Sequence, residues 1–116
     1  MRLNQRAVGV LTSSEAAAIR VDAVSADLGE MHGTYRWQPG SEVAVFSISH
    51  VAAVQPGQHY EARAQVNGQW QSLGTFTDNT VLIVEGTQWG TPPEAIQVRA
   101  EPGDSLMLDW TAPAHP

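Results

Sequence analysis

The stretch Tyr60-Glu-Ala-Arg-Ala-Gln-Val-Asn-Gly-Gln-Trp-Gln-Ser-Leu-Gly-Thr-Phe76 decides the fold class. Tyr60, Ala62, Ala64 and Val66 alternate with Glu61, Arg63 and Gln65. That period of two belongs to a strand with one face buried and one wet. Asn67-Gly68 follows, the strongest short hairpin signal, because a two-residue primed turn needs positive φ at both central positions. The stretch therefore predicts Tyr60–Val66 paired with Trp70–Phe76. Trp70, coming out of the turn, is expected to pack across the hairpin on Val66 or Ala64.

Working outward, the same alternation recurs in Gly33–Gln38 and in Ile96–Glu101, and less cleanly in Leu106–Trp110. Val43–Ile48 and Val81–Val84 are apolar on both faces, as central strands covered on both sides would be. Ala18–Val24 is weaker. Ser14 could cap a short helix before Glu15 and the alanines, but strand is preferred from Ile19 onward. Pro39-Gly40 suits a type II turn, and Pro56-Gly57, Asp78-Asn79 and Pro102-Gly103 supply further breaks. The sum is an all-β chain: an antiparallel β-sandwich of about seven to eight short strands, immunoglobulin- or fibronectin-like, with turns at intervals of about 8–12 residues. The expected organisation is a linker or first edge strand over 1–17, one sandwich domain over 18–110 and a Pro-rich tail over 111–116.

Composition supports one ordinary core. The chain has 116 residues, which suits a single domain of about 100–150 residues. There is no cysteine, which excludes disulfides, thiolate metal sites and a Cys nucleophile. The formal net charge is −6, and all six basic residues are Arg. An acidic surface repels phosphate backbones, so nucleic acid is not an expected partner. Without Lys, neither Schiff-base chemistry nor a P-loop is available. No run approaches the roughly 18 apolar residues of a membrane span, and no apolar run of signal-peptide type follows the N-terminus.

Catalytic patterns are sparse. No Gly-x-Ser-x-Gly elbow accompanies the Ser, His and Asp residues, and nothing in the sequence pairs two of the twelve acids. His32, His50, His59 and His115 show no i, i+2 or i, i+4 spacing of metal ligands. The expectation is a domain without enzymatic activity, metal or cofactor. Four Trp are many for this length. Trp37 and Trp110 close alternating strands and read as core. Trp89 stands in the loop Glu85-Gly-Thr-Gln-Trp-Gly-Thr-Pro-Pro93. It can be a platform for a sugar or a partner, or a lid on the end of the sandwich. Trp89 and Trp70 are the candidate binding residues.

The order of these elements resembles the C-terminal domain of anti-sigma-K factors of the RskA type. The resemblance runs from about Ala18 to Gly103. It is carried by Gly33-Thr-Tyr-Arg-Trp37-Gln-Pro-Gly40, by Gln55-Pro-Gly-Gln-His-Tyr60, by the turn at Gly68, by Ser72-Leu-Gly74-Thr-Phe76 and by Glu101-Pro102-Gly103. It departs from the family at Arg63, where a Trp is usual, and after Pro102, where a glycine pair and a proline are usual. The resemblance implies a sensor domain outside the membrane, tethered by a helix that this chain lacks. A cytoplasmic part, also lacking here, would hold an extracytoplasmic-function sigma factor, and the β-domain would restrain the proteolysis that frees it. A carbohydrate- or surface-binding sandwich, or an adhesion domain of a larger surface protein, is the alternative. A protein or a glycan is then the expected ligand of the β-domain itself.

Overall fold

The computed structural model describes residues 17–112. The described strands are β1 (Ala17–Ala23), β2 (His32–Trp37), β3 (Val43–Ser49), β4 (His59–Val66), β5 (Gln69–Phe76), β6 (Thr80–Glu85), β7 (Ala95–Glu101) and β8 (Ser105–Thr111). Single 3-10 turns stand at Ala26–Leu28 and Thr87–Gly90. Residues 1–16, with the Ser14 capping alternative and most of the expected linker, and 113–116 of the tail, lie outside the described residues.

Every strand pairing is antiparallel, in the order β5-β4-β7-β8-β1-β2-β3-β6. The order divides into two quartets. β1-β2-β3-β6 form the first sheet and β5-β4-β7-β8 the second. They join where β1 meets β8 over only two residue pairs, Asp22↔Asp109 and Ala23↔Leu108. The two outer strands approach each other on the opposite side. A Cβ on Gly74 of β5 would lie 3.1 Å from Leu82 of β6. The sandwich is thus nearly closed into a barrel, which leaves little open edge for unwanted pairing.

The core lies between the quartets, where alternation brings the apolar faces together. Val21, Tyr35, Ala44, Phe46 and Ile48 face Tyr60, Ala62, Ala64, Val66, Ile96, Val98 and Leu108. Gly33 belongs to this face for a steric reason. A Cβ there would stand 2.3 Å from the Phe46 ring, so only glycine lets that ring lie across β2.

The β4–β5 hairpin forms at the predicted turn. Asn67 and Gly68 have φ of 53° and 77°, as a type I′ turn requires. Val66 then pairs with Gln69 and Gln65 with Trp70. This register overturns the expected packing of Trp70. Ala64 and Val66 point into the core, whereas Trp70 stands opposite Gln65 on the outer face. The alternation does not run unbroken along β5. A bulge at Leu73 lets Leu73 and Phe76, three residues apart, both turn inward.

One more expectation needs correcting. Val81–Val84 is apolar on both faces but not central, since β6 pairs only with β3 and ends the strand order. Its two faces are occupied differently. Leu82 and Val84 pack on the core, while Val81 and Ile83 pack on Val43 and Val45 outside the first sheet.

Candidate binding face

The outer face of the second sheet is the most chemically varied surface of the described residues. Strand register sets its members in rows. Trp70, Gln65, Ala95 and Thr111 make one row across β5, β4, β7 and β8. Ser72, Arg63, Gln97 and Asp109 make the next. Below them Thr75, Glu61, Arg99 and Leu106 stand in register.

The two lower rows are laced together. Arg63 Nε donates to Glu61 Oε1 at 2.6 Å, and its Nη2 lies 3.6 Å from Glu101. Ser72 Oγ donates to the second Glu61 oxygen at 3.2 Å. Arg99 donates to Gln97 Oε1 and sits 3.4 Å from Asp104 Oδ1. Gln97 Nε2 donates to Asp109 at 3.4 Å. The hydrogen bond to Glu61 is the main reason the Arg63 pKa is pushed above its ordinary value, with the charges of Glu61, Asp104 and Glu101 adding to it against a burial penalty. Both guanidinium groups therefore spend their charge on carboxylates within the face.

Trp70 is the exception in this polar lattice. It is 45% exposed, against 2% for Trp89. The structure separates these two candidates. Trp89 sits in the 3-10 turn Thr87–Gly90 and packs into the core. That turn rests on the β2–β3 turn so closely that a Cβ on Gly90 would stand 2.4 Å from the Ser41 carbonyl oxygen. A buried indole presents no face to a ligand, so Trp89 acts as the lid of the sandwich and not as a stacking platform. Gln88 Nε2 donates to Gln71 Oε1 at 3.1 Å, which ties the Trp89 loop to the strand that carries Trp70.

The residues that carried the family resemblance fall on structural positions. Tyr60 Oη donates to the Ala52 carbonyl at 2.8 Å, clasping the β3–β4 connection onto β4. Phe76 lies 5.4 Å from the Tyr60 ring. Gly68 N donates to Glu94 Oε1 at 2.6 Å, anchoring the hairpin tip to the segment before β7. Ser41 N donates to Gln38 O at 2.9 Å and closes the Pro39-Gly40 turn. Gly74 lies beside the bulge against Leu82. Trp37 is half-buried beside Tyr35, with ring centroids 6.2 Å apart. Glu101 ends β7 beside Arg63, and a cis peptide joins it to Pro102.

Sequence spacing missed one convergence. His32 and His50 stand at the same end of β2 and β3, with ring centroids 5.8 Å apart. His50 Nδ1 is 3.8 Å from a Glu30 carboxylate oxygen, and His32 Nδ1 lies 2.9 Å from the Glu30 carbonyl oxygen. Eighteen positions separate the histidines, so only strand pairing reveals them. Among the described residues, no group of three or more His, Asp or Glu could hold a metal ion.

Two surface hollows measure about 230 and 270 Å³, lined respectively around Arg20, Asp22 and Glu30 and around Ser41, Glu42 and Thr87. Both are open and fall below the roughly 300 Å³ at which small-molecule pockets begin. An extended face is the better candidate surface. No helix among the described residues is long and apolar enough to cross a membrane. Compared with protein-family models, with curated proteins and with solved structures, the chain matches none.

Proposed function

We propose that this domain is a non-enzymatic regulatory module: the extracytoplasmic β-domain of a membrane-tethered anti-sigma factor of the RskA type. One observation carries the reading. The residues that resemble that family, in their order and spacing, occupy the joints of the sandwich. Tyr60 clasps the Ala52 carbonyl, Gly33 lies under Phe46, and Gly68 takes the left-handed turn position. A resemblance made of joints describes a shared scaffold, and joints constrain sequence where binding faces vary. In this reading the domain touches no sigma factor itself. It restrains the proteolytic step through which a cytoplasmic segment elsewhere in the full-length protein would release one.

The test is made in the cell of origin. Residues 17–112 are removed in frame from the gene that encodes them, and transcription from a promoter of an extracytoplasmic-function sigma factor is followed. Loss of the restraint raises reporter output by about tenfold, the size of an ordinary regulatory coupling. A topology fusion at Thr111 then reports an extracytoplasmic position. Unchanged output, or a cytoplasmic fusion signal, defeats the reading.

A further inference from the structure

We propose that the upper row of the second sheet's outer face, Trp70–Gln65–Ala95–Thr111, is a binding site for a neutral oligosaccharide. This goes beyond the regulatory reading and does not depend on it.

An indole left 45% exposed forgoes hydrophobic burial, and the hairpin register that sets Trp70 opposite Gln65 holds it outward. Among the described residues the other large exposed hydrophobic side chain is Val24, next to the β1–β8 seam. Trp70 therefore stands alone among polar groups and not in an apolar protein-docking patch. A flat aromatic face beside hydrogen-bonding side chains matches a sugar ring, which offers C–H groups on one face and hydroxyls around its rim.

The neighbours narrow the ligand further. Gln65 lies directly across from Trp70, and its amide both donates and accepts. Ala95 is only 5% exposed, so the accessible members of the row are the indole, the Gln65 amide and, at the far end, Thr111. The indole and the Gln65 side chain, on strands about 4.8 Å apart, offer a stacking face and a hydrogen-bonding group within the span of one sugar ring. Charge selects against acidic glycans. Arg63 and Arg99 are already held by Glu61, Glu101 and Asp104, and Asp109 stands in the adjoining row. No cation of this face remains to meet a uronate or a sulfate.

The full chain is titrated with hexasaccharides of cellulose, xylan, mannan, chitin and amylose, with polygalacturonate as the acidic probe, by calorimetry and tryptophan fluorescence. At least one neutral hexasaccharide binds with a dissociation constant below about 1 mM. Its affinity is unchanged between low and high salt, since no charge pairing is involved. Trp70→Ala weakens it by about tenfold or more, and Gln65→Ala by about threefold, each a stacking or hydrogen-bond contribution of ordinary size. Because Trp70 is exposed, both variants keep the circular dichroism spectrum of the parent, and Trp70→Phe retains part of the binding. Three results overturn the proposal: no neutral hexasaccharide binds, only polygalacturonate binds, or Trp70→Ala binds as the parent does. A domain that restrains the sigma reporter yet binds no glycan keeps the regulatory reading and loses this one, and the converse result separates them equally well.

Discussion

The two sheets use the same backbone pattern to opposite ends. The second sheet is apolar within and polar without, and its outer face is a half-buried lattice of Arg, Glu and Gln edged by the exposed Asp109. The first sheet is apolar on both faces around β3 and β6. Val43 and Val45 point away from the core, yet both are 0% exposed, with Val81 and Ile83 packed on them. The polar sheet meets water and can meet a ligand. The apolar sheet is committed to packing on both sides, so its outer positions tolerate charge no better than core positions do.

The tyrosines show the same division. Tyr60 in the second sheet donates its hydroxyl to the Ala52 carbonyl. Tyr35 in the first is 0% exposed, and its buried hydroxyl has no hydrogen-bond partner, nor has the nearby Trp37 Nε1. The first sheet therefore carries unsatisfied polar atoms that the second avoids.

The largest expected effect probes the apolar outer face. Val43→Asp places a carboxylate among Val45, Val81 and Ile83 and in register with Glu85, and costs about 4 kcal/mol or more, read by urea denaturation. If it costs no more than a surface substitution, the two outer faces are alike and the comparison fails.

The tyrosine pair sharpens it. Tyr60→Phe loses a hydrogen bond and leaves the Ala52 carbonyl without it, a cost of about 1 kcal/mol. Tyr35→Phe removes an unsatisfied buried hydroxyl and is neutral or stabilising by up to about 1 kcal/mol. The two substitutions are chemically identical, so their opposite signs isolate the difference between the sheets.

A pH titration carries that contrast further. Burial raises both tyrosine pKa values above the unfolded value of about 10. The neutral hydroxyl is favoured in the fold, so this stabilisation is full below about pH 10 and is lost as pH rises through the raised folded values. These are the two tyrosines of the chain. Tyrosinate absorbance should therefore stay low past pH 10 while the protein remains folded. The Tyr35 signal should appear only with unfolding. Normal titration of both in a folded protein would break the expectation.

The smallest effect belongs to the polar lattice. Arg63→Ala releases Glu61 and Glu101 toward water and costs at most about 1 kcal/mol, the range of partly exposed ion pairs, and less in high salt. A loss of several kcal/mol would mean that the lattice holds the sandwich together as the core does.

Much of the fold was legible because its signals are local. Asn67-Gly68 specified a hairpin by φ alone, and Pro39-Gly40 specified a turn by ring geometry and a missing Cβ. Alternation placed Tyr60, Ala62, Ala64 and Val66 on the core face. The candidate site was less legible. The sequence puts Trp89 first and Trp70 second, because loop position does not measure burial. Trp89 entered the core because its 3-10 turn closes onto the Ser41 carbonyl, a contact between segments far apart in the chain.

By itself, then, the sequence determined the all-β class, the main turns and most inward-facing residues. Those depend on backbone preferences within a few residues of chain. The tertiary structure alone decided that Val81–Val84 would end the strand order and that a bulge would bring both Leu73 and Phe76 inward. It alone brought His32 beside His50 and Arg63 beside Glu101. Each depends on which strands pair and in what register, and these are set by how two sheets share one core. No local propensity encodes that shared volume.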